Sequence, residues 1–270
     1  MIPPADLAFV CALCLARAGL QIDIDKSYLI ESRLWPAARR EGFDSPESFI
    51  EAVRARGDMR MGWGLVEAMS LPESEFFRDR EVLLTLIEEV LPRLARARGN
   101  EPVRVWSAAC GTGQEVYSLA MLLAEAPNLS GRVALFGSDL SERCLEKAQA
   151  GIYSQFEVQR GLPARLLVRH FETFGEGFVL SPRIRQLVRW RRVNLMDDLG
   201  RDGRFDLVLC RGALGQLAPE ARGRVLNSLS GALAPGGRLV LGLKDDPGDA
   251  FTRVGPGIFA DHHDAVRSAA

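Results

Sequence analysis

The chain has 270 residues, of which 47% are hydrophobic, enough to fill one large core or two small ones. Its 34 Lys and Arg stand against 35 Asp and Glu, a formal net charge of -1, which excludes a chain that is basic throughout and coats nucleic acid by counterion release. No run approaches the roughly 18–20 consecutive apolar residues of a membrane helix, and the N-terminus lacks a basic, apolar and cleavable leader. The expectation is therefore a cytoplasmic protein without membrane insertion or a nucleic-acid partner.

Residues 1–70 read as a small all-helical domain. An apolar stripe runs from Leu7 to Ala18, a second segment lies near Tyr28 to Arg40, and a third follows Ser45, where Ser45-Pro46-Glu47 resembles a helix start with proline in the first turn. Eight basic and ten acidic residues make this domain no basic binding module. Cys11 and Cys14 form a lone Cys-x-x-Cys. The three histidines, His170, His262 and His263, lie far along the chain, and Val10, Leu13 and Cys14 fall at helical spacing, so a buried helix face is expected rather than a metal site. With Cys110, Cys144 and Cys210 the cysteines total five, an odd number that suits reduced thiols better than a disulfide framework. Leu71-Pro72-Glu73-Ser74 breaks the helical pattern and starts a linker, expected over 71–80.

The remainder, 81–270, alternates. Helical spacing returns from Val82 to Arg96. After the Gly99-Asn100 break, Val103-Arg104-Val105-Trp106 is a short strand, Ala109-Cys110-Gly111-Thr112-Gly113 a glycine turn, and Glu115 to Glu125 a helix. The order repeats with a strand from Val133 to Asp139 and a helix from Ser141 to Ala150, then a strand from Phe205 to Cys210 and a helix from Pro219 to Leu233. Gly236-Gly237 leads into a last strand from Arg238 to Leu243. This alternation calls for an α/β fold with a doubly wound, mostly parallel sheet. Between Gly151 and Val193 an insert interrupts it, expected at about 155–190, with a turn at Gly175-Glu176-Gly177 and a short strand at Phe178-Val179-Leu180. Val188 to Val193 either pairs within the insert or returns to the main sheet. From Arg160 to Arg192 eight arginines face only Glu172 and Glu176, a local excess of six; a solvated basic face and a dock for an acidic partner both remain open.

A glycine turn between a strand and a helix lets backbone approach a ligand, and the helix start offers unpaired amides. Glu115 just inside that helix and Asp139 at the end of the second strand sharpen the pattern, because ligands of doubly wound sheets collect at the carboxyl ends of the strands, where a carboxylate can hold two ribose hydroxyls. Val116 stands where a dinucleotide fingerprint has its third Gly or Ala, which disfavours a dehydrogenase and favours S-adenosyl-L-methionine. The alternative, in which the glycines only make a tight turn and Asp139 only caps the next helix, stays open.

Arg104-Val105-Trp106-Ser107-Ala108-Ala109 followed by Gly113-Gln114-Glu115-Val116-Tyr117-Ser118 resembles the first motif of the CheR-type chemotaxis receptor methyltransferases, RVWSAA followed by TGEEPYS. Ser74-Glu75-Phe76-Phe77-Arg78, Ser138-Asp139, Gly151-Ile152-Tyr153, Val193-Asn194-Leu195, Phe205-Asp206, Cys210-Arg211 and Pro235-Gly236-Gly237 match further family segments in order. The resemblance spans nearly the whole chain. It implies methyl transfer from S-adenosyl-L-methionine to glutamate side chains on the acidic cytoplasmic helical bundle of chemoreceptors, without a metal. It places Arg78 beside the reacting groups. Glu115 and Asp139 would hold the methionyl or ribose portion, and Asn194 and Leu195 the adenine. Ser74, Ala109, Gly111, Gly212 and Ala213 would complete the cofactor shell.

The sequence also departs from the family. Pro72 replaces an asparagine and Ser74 a threonine; Gly212-Ala213 stands for Asn-Val, Gln216-Leu217 for an aromatic pair, and Lys244-Asp245-Asp246 for a Ser-Glu-Asn-like run. Each lost hydrogen bond is worth on the order of 1 kcal/mol. An active enzyme with a weakened site and a non-catalytic signalling module both follow; a small-molecule methyltransferase fits the helical domain and the insert less well. In the family the insert is a small antiparallel β-subdomain that some members use to bind a peptide at the receptor's C-terminus. The turn between Phe171 and Phe178 is short, so no dependence on a tethering pentapeptide is expected.

Overall fold

The computed structural model describes residues 2–70 and 72–261; Leu71, His262 and His263 lie outside them. These residues form two compact units, 2–70 with 215–224 and 72–214 with 225–261.

The first unit holds α1 (Pro4–Ala18), α2 (Ser27–Arg40), α3 (Pro46–Arg56) and α4 (Met59–Met69). Local chemistry sets their ends. Proline opens α1 and α3; Ser45 and Ser48 cap α3 reciprocally; Gly19 and Gly57 close α1 and α3 in the left-handed conformation. Asp58 caps α4 by accepting from the Arg60 N–H at 2.8 Å. Cys14 faces the interior with Val10, and burial pushes its thiol up to about 12. Residues 215–224 join this unit through an antiparallel bridge between Leu20 and Leu217, with the Gln21 N–H donating to the Gln216 carbonyl at 2.8 Å.

The second unit opens with α5 (Arg80–Thr85), a π-helical turn, and α6 (Leu91–Ala97). Then come β1 (Val103–Ala108), α7 (Gln114–Ala124), β2 (Val133–Asp139) and α8 (Glu142–Ala150). The insert follows as β3 (Ile152–Ser154), α9 (Gln155–Gln159), α10 (Ala164–His170), β4 (Phe171–Phe174), β5 (Gly177–Leu180) and α11 (Pro182–Arg185). The chain returns through β6 (Val188–Arg192), β7 (Phe205–Cys210), α12 (Pro219–Ala232), whose first residues belong to the helical unit, β8 (Leu233–Leu241), β9 (Phe251–Gly255) and β10 (Ile258–Asp261).

The main sheet has the order β6-β2-β1-β7-β8-β10-β9. Its first five strands run parallel, and β10 and then β9 extend it antiparallel, β9 at the edge. A second sheet, β3-β5-β4, is antiparallel. All six residues of β7 are buried, as a strand covered on both faces requires. Val105, Leu135, Leu207 and Leu209 share one core with Val116, Leu119 and Leu123 of α7. After β1 the chain crosses to β2 on one side, and β7 lies on the other. The loops leaving β1 and β7 therefore diverge, and a crevice opens at their carboxyl ends.

Residues 72–80, read from the sequence as linker, belong to this second unit. Phe76 and Phe77 are only 0% and 5% exposed, and Phe76 meets the rings of Tyr153 and Phe171 edge-on at 5.0 and 5.8 Å. Two adjacent aromatic rings bury too much apolar area to remain in a solvated linker.

Candidate cofactor site

β1 delivers the chain into a turn that runs through Ala109, Gly111 and Gly113 before α7 begins. Among the described residues only three non-glycines have positive φ: Ala109 at 52°, Phe77 at 53° and Asp79 at 45°. All three border this crevice. Left-handed backbone costs a residue with a Cβ about 1–2 kcal/mol, so bonds around the turn must hold it. The Gly111 N–H donates to Asp139 Oδ2 at 2.8 Å and the Ser141 N–H to Oδ1 at 2.9 Å. The Phe77 N–H donates to Ser118 Oγ at 2.9 Å, and that hydroxyl donates to the Gln114 carbonyl at 2.7 Å. The Tyr153 hydroxyl donates to the Thr112 carbonyl at 2.7 Å.

Glycine is required here by space as well as by φ. A Cβ on Gly111 would lie 3.1 Å from Ser74 Cβ; on Gly113, whose φ is 92°, it would lie 3.0 Å from Ala148 Cβ and 3.1 Å from the Trp190 ring. The side of Gly111 that a Cβ would fill is closed by Ser74 and Pro72, and Ser74 Oγ donates to the Cys110 carbonyl at 3.4 Å.

Two carboxylates line the crevice. Asp139 is 7% exposed; burial pushes its carboxyl up, opposed by N–H donors from Ser141, Gly111 and Leu140. Asp139 is not the cap of the following helix, because Ser141 fills that role by accepting from the Cys144 N–H. It ties the glycine turn to the end of β2 instead. Three backbone N–H groups share its two oxygens, and a carboxylate offers about four lone-pair sites, so the group retains capacity for a ligand hydroxyl. Burial also pushes Glu115 up, with Arg211 and then Arg78 pulling it back.

In the sequence resemblance Arg211 stands only within Cys210-Arg211, with no role implied. It is the centre of the acidic cluster. Its side chain is 1% exposed; Nη1 donates to Glu115 Oε2 at 2.8 Å and to the Arg78 carbonyl at 3.2 Å, and Nη2 pairs with Asp79. The signal available in sequence was position alone, an arginine leaving a strand at the switch point.

The other predicted residues divide by their links to this cluster. Arg78 pairs with Glu73 at 3.3 Å, and a Cβ on Gly212, φ 85°, would come 3.3 Å from Arg78 Nη1. Asn194 accepts from the Met196 N–H at 3.2 Å, and its neighbour Val193 donates to the Asp139 carbonyl at 3.0 Å. Leu195 and Ala213 are half-buried in the loops after β6 and β7. Loops from β1, β2, β6 and β7 and the segment 72–79 thus supply the predicted residues. The donor set, two carboxylates in restricted crevices, one arginine at the rim and a glycine cradle, suits a nucleoside that carries both an ammonium and a carboxylate.

Residues 72–249 match the family described as CheR methyltransferase, SAM binding domain. Chemotaxis protein methyltransferase 1 of Pseudomonas aeruginosa is 36% identical over 234 residues, 84% of this chain and 85% of that protein. The chemotaxis protein methyltransferase of Vibrio parahaemolyticus is 33% identical over 235 residues, 85% of each. Chemotaxis protein methyltransferase 1 of Vibrio cholerae is 31% identical over 240 residues, 87% of this chain and 86% of that protein.

Proposed function

The chain belongs to the CheR methyltransferase family, and from that membership we propose that it transfers a methyl group from S-adenosyl-L-methionine to glutamate side chains on the cytoplasmic helices of chemoreceptors. The bound cofactor supplies an electrophilic methyl on a positively charged sulfur. The acceptor glutamate is ionised near pH 7 and is itself the nucleophile, so no strong general base is needed. What the protein must add is alignment and exclusion of water.

The observation that carries this reading is the pair of carboxylates, Asp139 at the end of β2 and Glu115 in the first turn of α7, fixed by backbone donors and by Arg211 respectively. Asp139 holds the ribose hydroxyls and Glu115 the ammonium of the methionyl group. Asn194 and Leu195 line the adenine; Ser74, Ala109, Gly111, Gly212 and Ala213 keep the cradle narrow; Arg78 orients a carboxylate at the reacting end. Gly212 contributes no side-chain bond where relatives of the family have asparagine, which weakens cofactor binding without removing it. Calorimetry with S-adenosyl-L-methionine and S-adenosylhomocysteine tests the site, and transfer of labelled methyl to chemoreceptor cytoplasmic fragments tests the reaction. Failure to bind either compound at high micromolar concentration sinks the reading.

Two finer points belong to the same proposal. The protein works in the cytoplasm, beside its substrate; no described helix is long and apolar enough to cross a membrane. It needs no tethering pentapeptide, since β4 and β5 are joined by Gly175-Glu176 alone. Measurable affinity for a chemoreceptor C-terminal pentapeptide contradicts this.

A further inference from the structure

We propose that Arg211 is a positioning residue: its guanidinium locks the Glu115 carboxylate to the Arg78 carbonyl and the Asp79 carboxylate, so that partners for the two ends of the cofactor's amino-acid group are set before it arrives. This deepens the methyltransferase reading and rests on it.

Every group that Arg211 grips belongs to the crevice. Glu115 comes from the first turn of α7, Asp79 and the Arg78 carbonyl from the segment laid against the glycine turn, and Arg211 itself from the end of β7. Asp79 has φ 45°, a conformation that persists only where its surroundings fix it. The fork of Arg211 supplies that constraint, since a planar guanidinium holds several acceptors in a set geometry where an ammonium cannot.

Charge leads to the same conclusion. By formal charge Glu115 and Asp79 outnumber Arg211 by one, a local excess that favours the ammonium of the cofactor. The charged and titratable groups around Glu115 are Arg211, Arg78 with its partner Glu73, Asp79, and the thiols of Cys110 and Cys210. Burial holds both thiols protonated, with Cys210 pushed up to about 12. Without Arg211, Arg78 is the remaining cation beside Glu115, and the buried carboxyl then takes up a proton at higher pH.

The test is calorimetric titration of the full chain with S-adenosylhomocysteine from pH 5.5 to 8.5, for the unsubstituted protein, Arg211→Met and Arg211→Lys, with thermal unfolding of each unliganded protein. Expected for Arg211→Met is affinity about 10- to 100-fold weaker at pH 7, with the acid loss of affinity moved up by about one pH unit or more. Arg211→Lys keeps the charge but not the fork; it restores the pH midpoint and only part of the affinity, and keeps the inference testable if the methionine variant does not fold. A variant profile that superimposes on the unsubstituted one, or a loss of equal size at every pH, overturns the positioning role. Absence of binding by the unsubstituted protein overturns the methyltransferase reading and this inference with it.

Discussion

Asp139→Asn changes almost no volume, yet it converts one of two adjacent acceptors into a donor. In the folded chain the two carboxylate oxygens receive the Gly111 N–H at 2.8 Å and the Ser141 N–H at 2.9 Å. The amide keeps one acceptor oxygen, so one backbone N–H faces an NH2 group and loses its partner. A buried donor left unsatisfied costs about 1–3 kcal/mol. Against this, burial has raised the Asp139 carboxyl, so removing the ion relieves part of a desolvation penalty. The net expectation is a loss of about 1–2 kcal/mol in the sheet unit, or roughly 2–8 °C in Tm for a unit of this size. Cofactor binding suffers more, because each hydroxyl bond to a charged acceptor is worth about 1.5–3 kcal/mol, so losing one weakens binding on the order of 10- to 100-fold. Urea unfolding and calorimetry with S-adenosylhomocysteine measure the two effects separately. An unchanged unfolding midpoint refutes the role given to Asp139 in holding the turn. Affinity within twofold of the unsubstituted protein refutes its role as ribose acceptor.

Gly113→Ala places a Cβ at φ 92°, 3.0 Å from Ala148 Cβ and 3.1 Å from the Trp190 ring; backbone strain of about 1–3 kcal/mol and overpacking of about 1–3 kcal/mol combine, and unfolding should show a loss of at least about 2 kcal/mol. Glu73→Gln releases Arg78 from a pair whose partners are 35% and 58% exposed. Such a pair is worth about 1 kcal/mol at most, so cofactor affinity rises by no more than about fivefold; a fall in affinity means that Glu73 itself contacts the ligand. Glu115 and Asp139 are both raised by burial above their ordinary 4.5 and 3.8. Their contribution to stability of the unliganded fold is therefore present below those values and lost as pH rises through the raised ones. The cofactor needs them ionised, so the rise in Tm that it produces shrinks as pH falls from neutrality, and Glu115→Gln flattens that slope.

The sheet and its turn were legible because period and punctuation agree there: β-rich runs end in glycine or aspartate and give way to helical spacing. The elements left unread carry conflicting local signals. α4 contains Gly62 and Gly64, which weaken a helical reading. A Cβ on Gly62 would displace the Arg17 guanidinium, which lies 2.3 Å from it. β9 and β10 are short antiparallel strands around Gly255-Pro256-Gly257, a stretch that reads as loop. The arginine excess between Arg160 and Arg192 is partly offset in space. Arg160 pairs with Glu75 at 2.7 Å, Arg165 and Arg169 with Glu125 at 2.8 and 2.9 Å, and Arg192 with Glu142 at 3.7 Å. All three acids lie outside the counted stretch, so half of its cations are already matched within the fold. A dock for an acidic partner must rest on the others.

What the sequence could least express is the cost of bringing residues 72–79 against the turn. Phe77, Asp79 and Ala109 together hold about 3–6 kcal/mol of backbone strain at 1–2 kcal/mol each. No ordinary loop keeps this unless burial and hydrogen bonds over-determine it. Phe76 and Phe77 provide the burial, Ser118 the acceptor for the Phe77 N–H, and Arg211 the fork that holds Arg78 and Asp79. The same constraints bring Ser74 against Gly111 and Arg78 against Gly212, where side chains would otherwise fill the crevice. Strain and packing therefore have one cause: a segment anchored by its aromatics is drawn tightly over the strand ends, and under the proposed function its polar residues are held in place before the ligand binds. Loosening any anchor should weaken binding by spreading those residues over more conformations, even where every group that touches the cofactor is left unchanged.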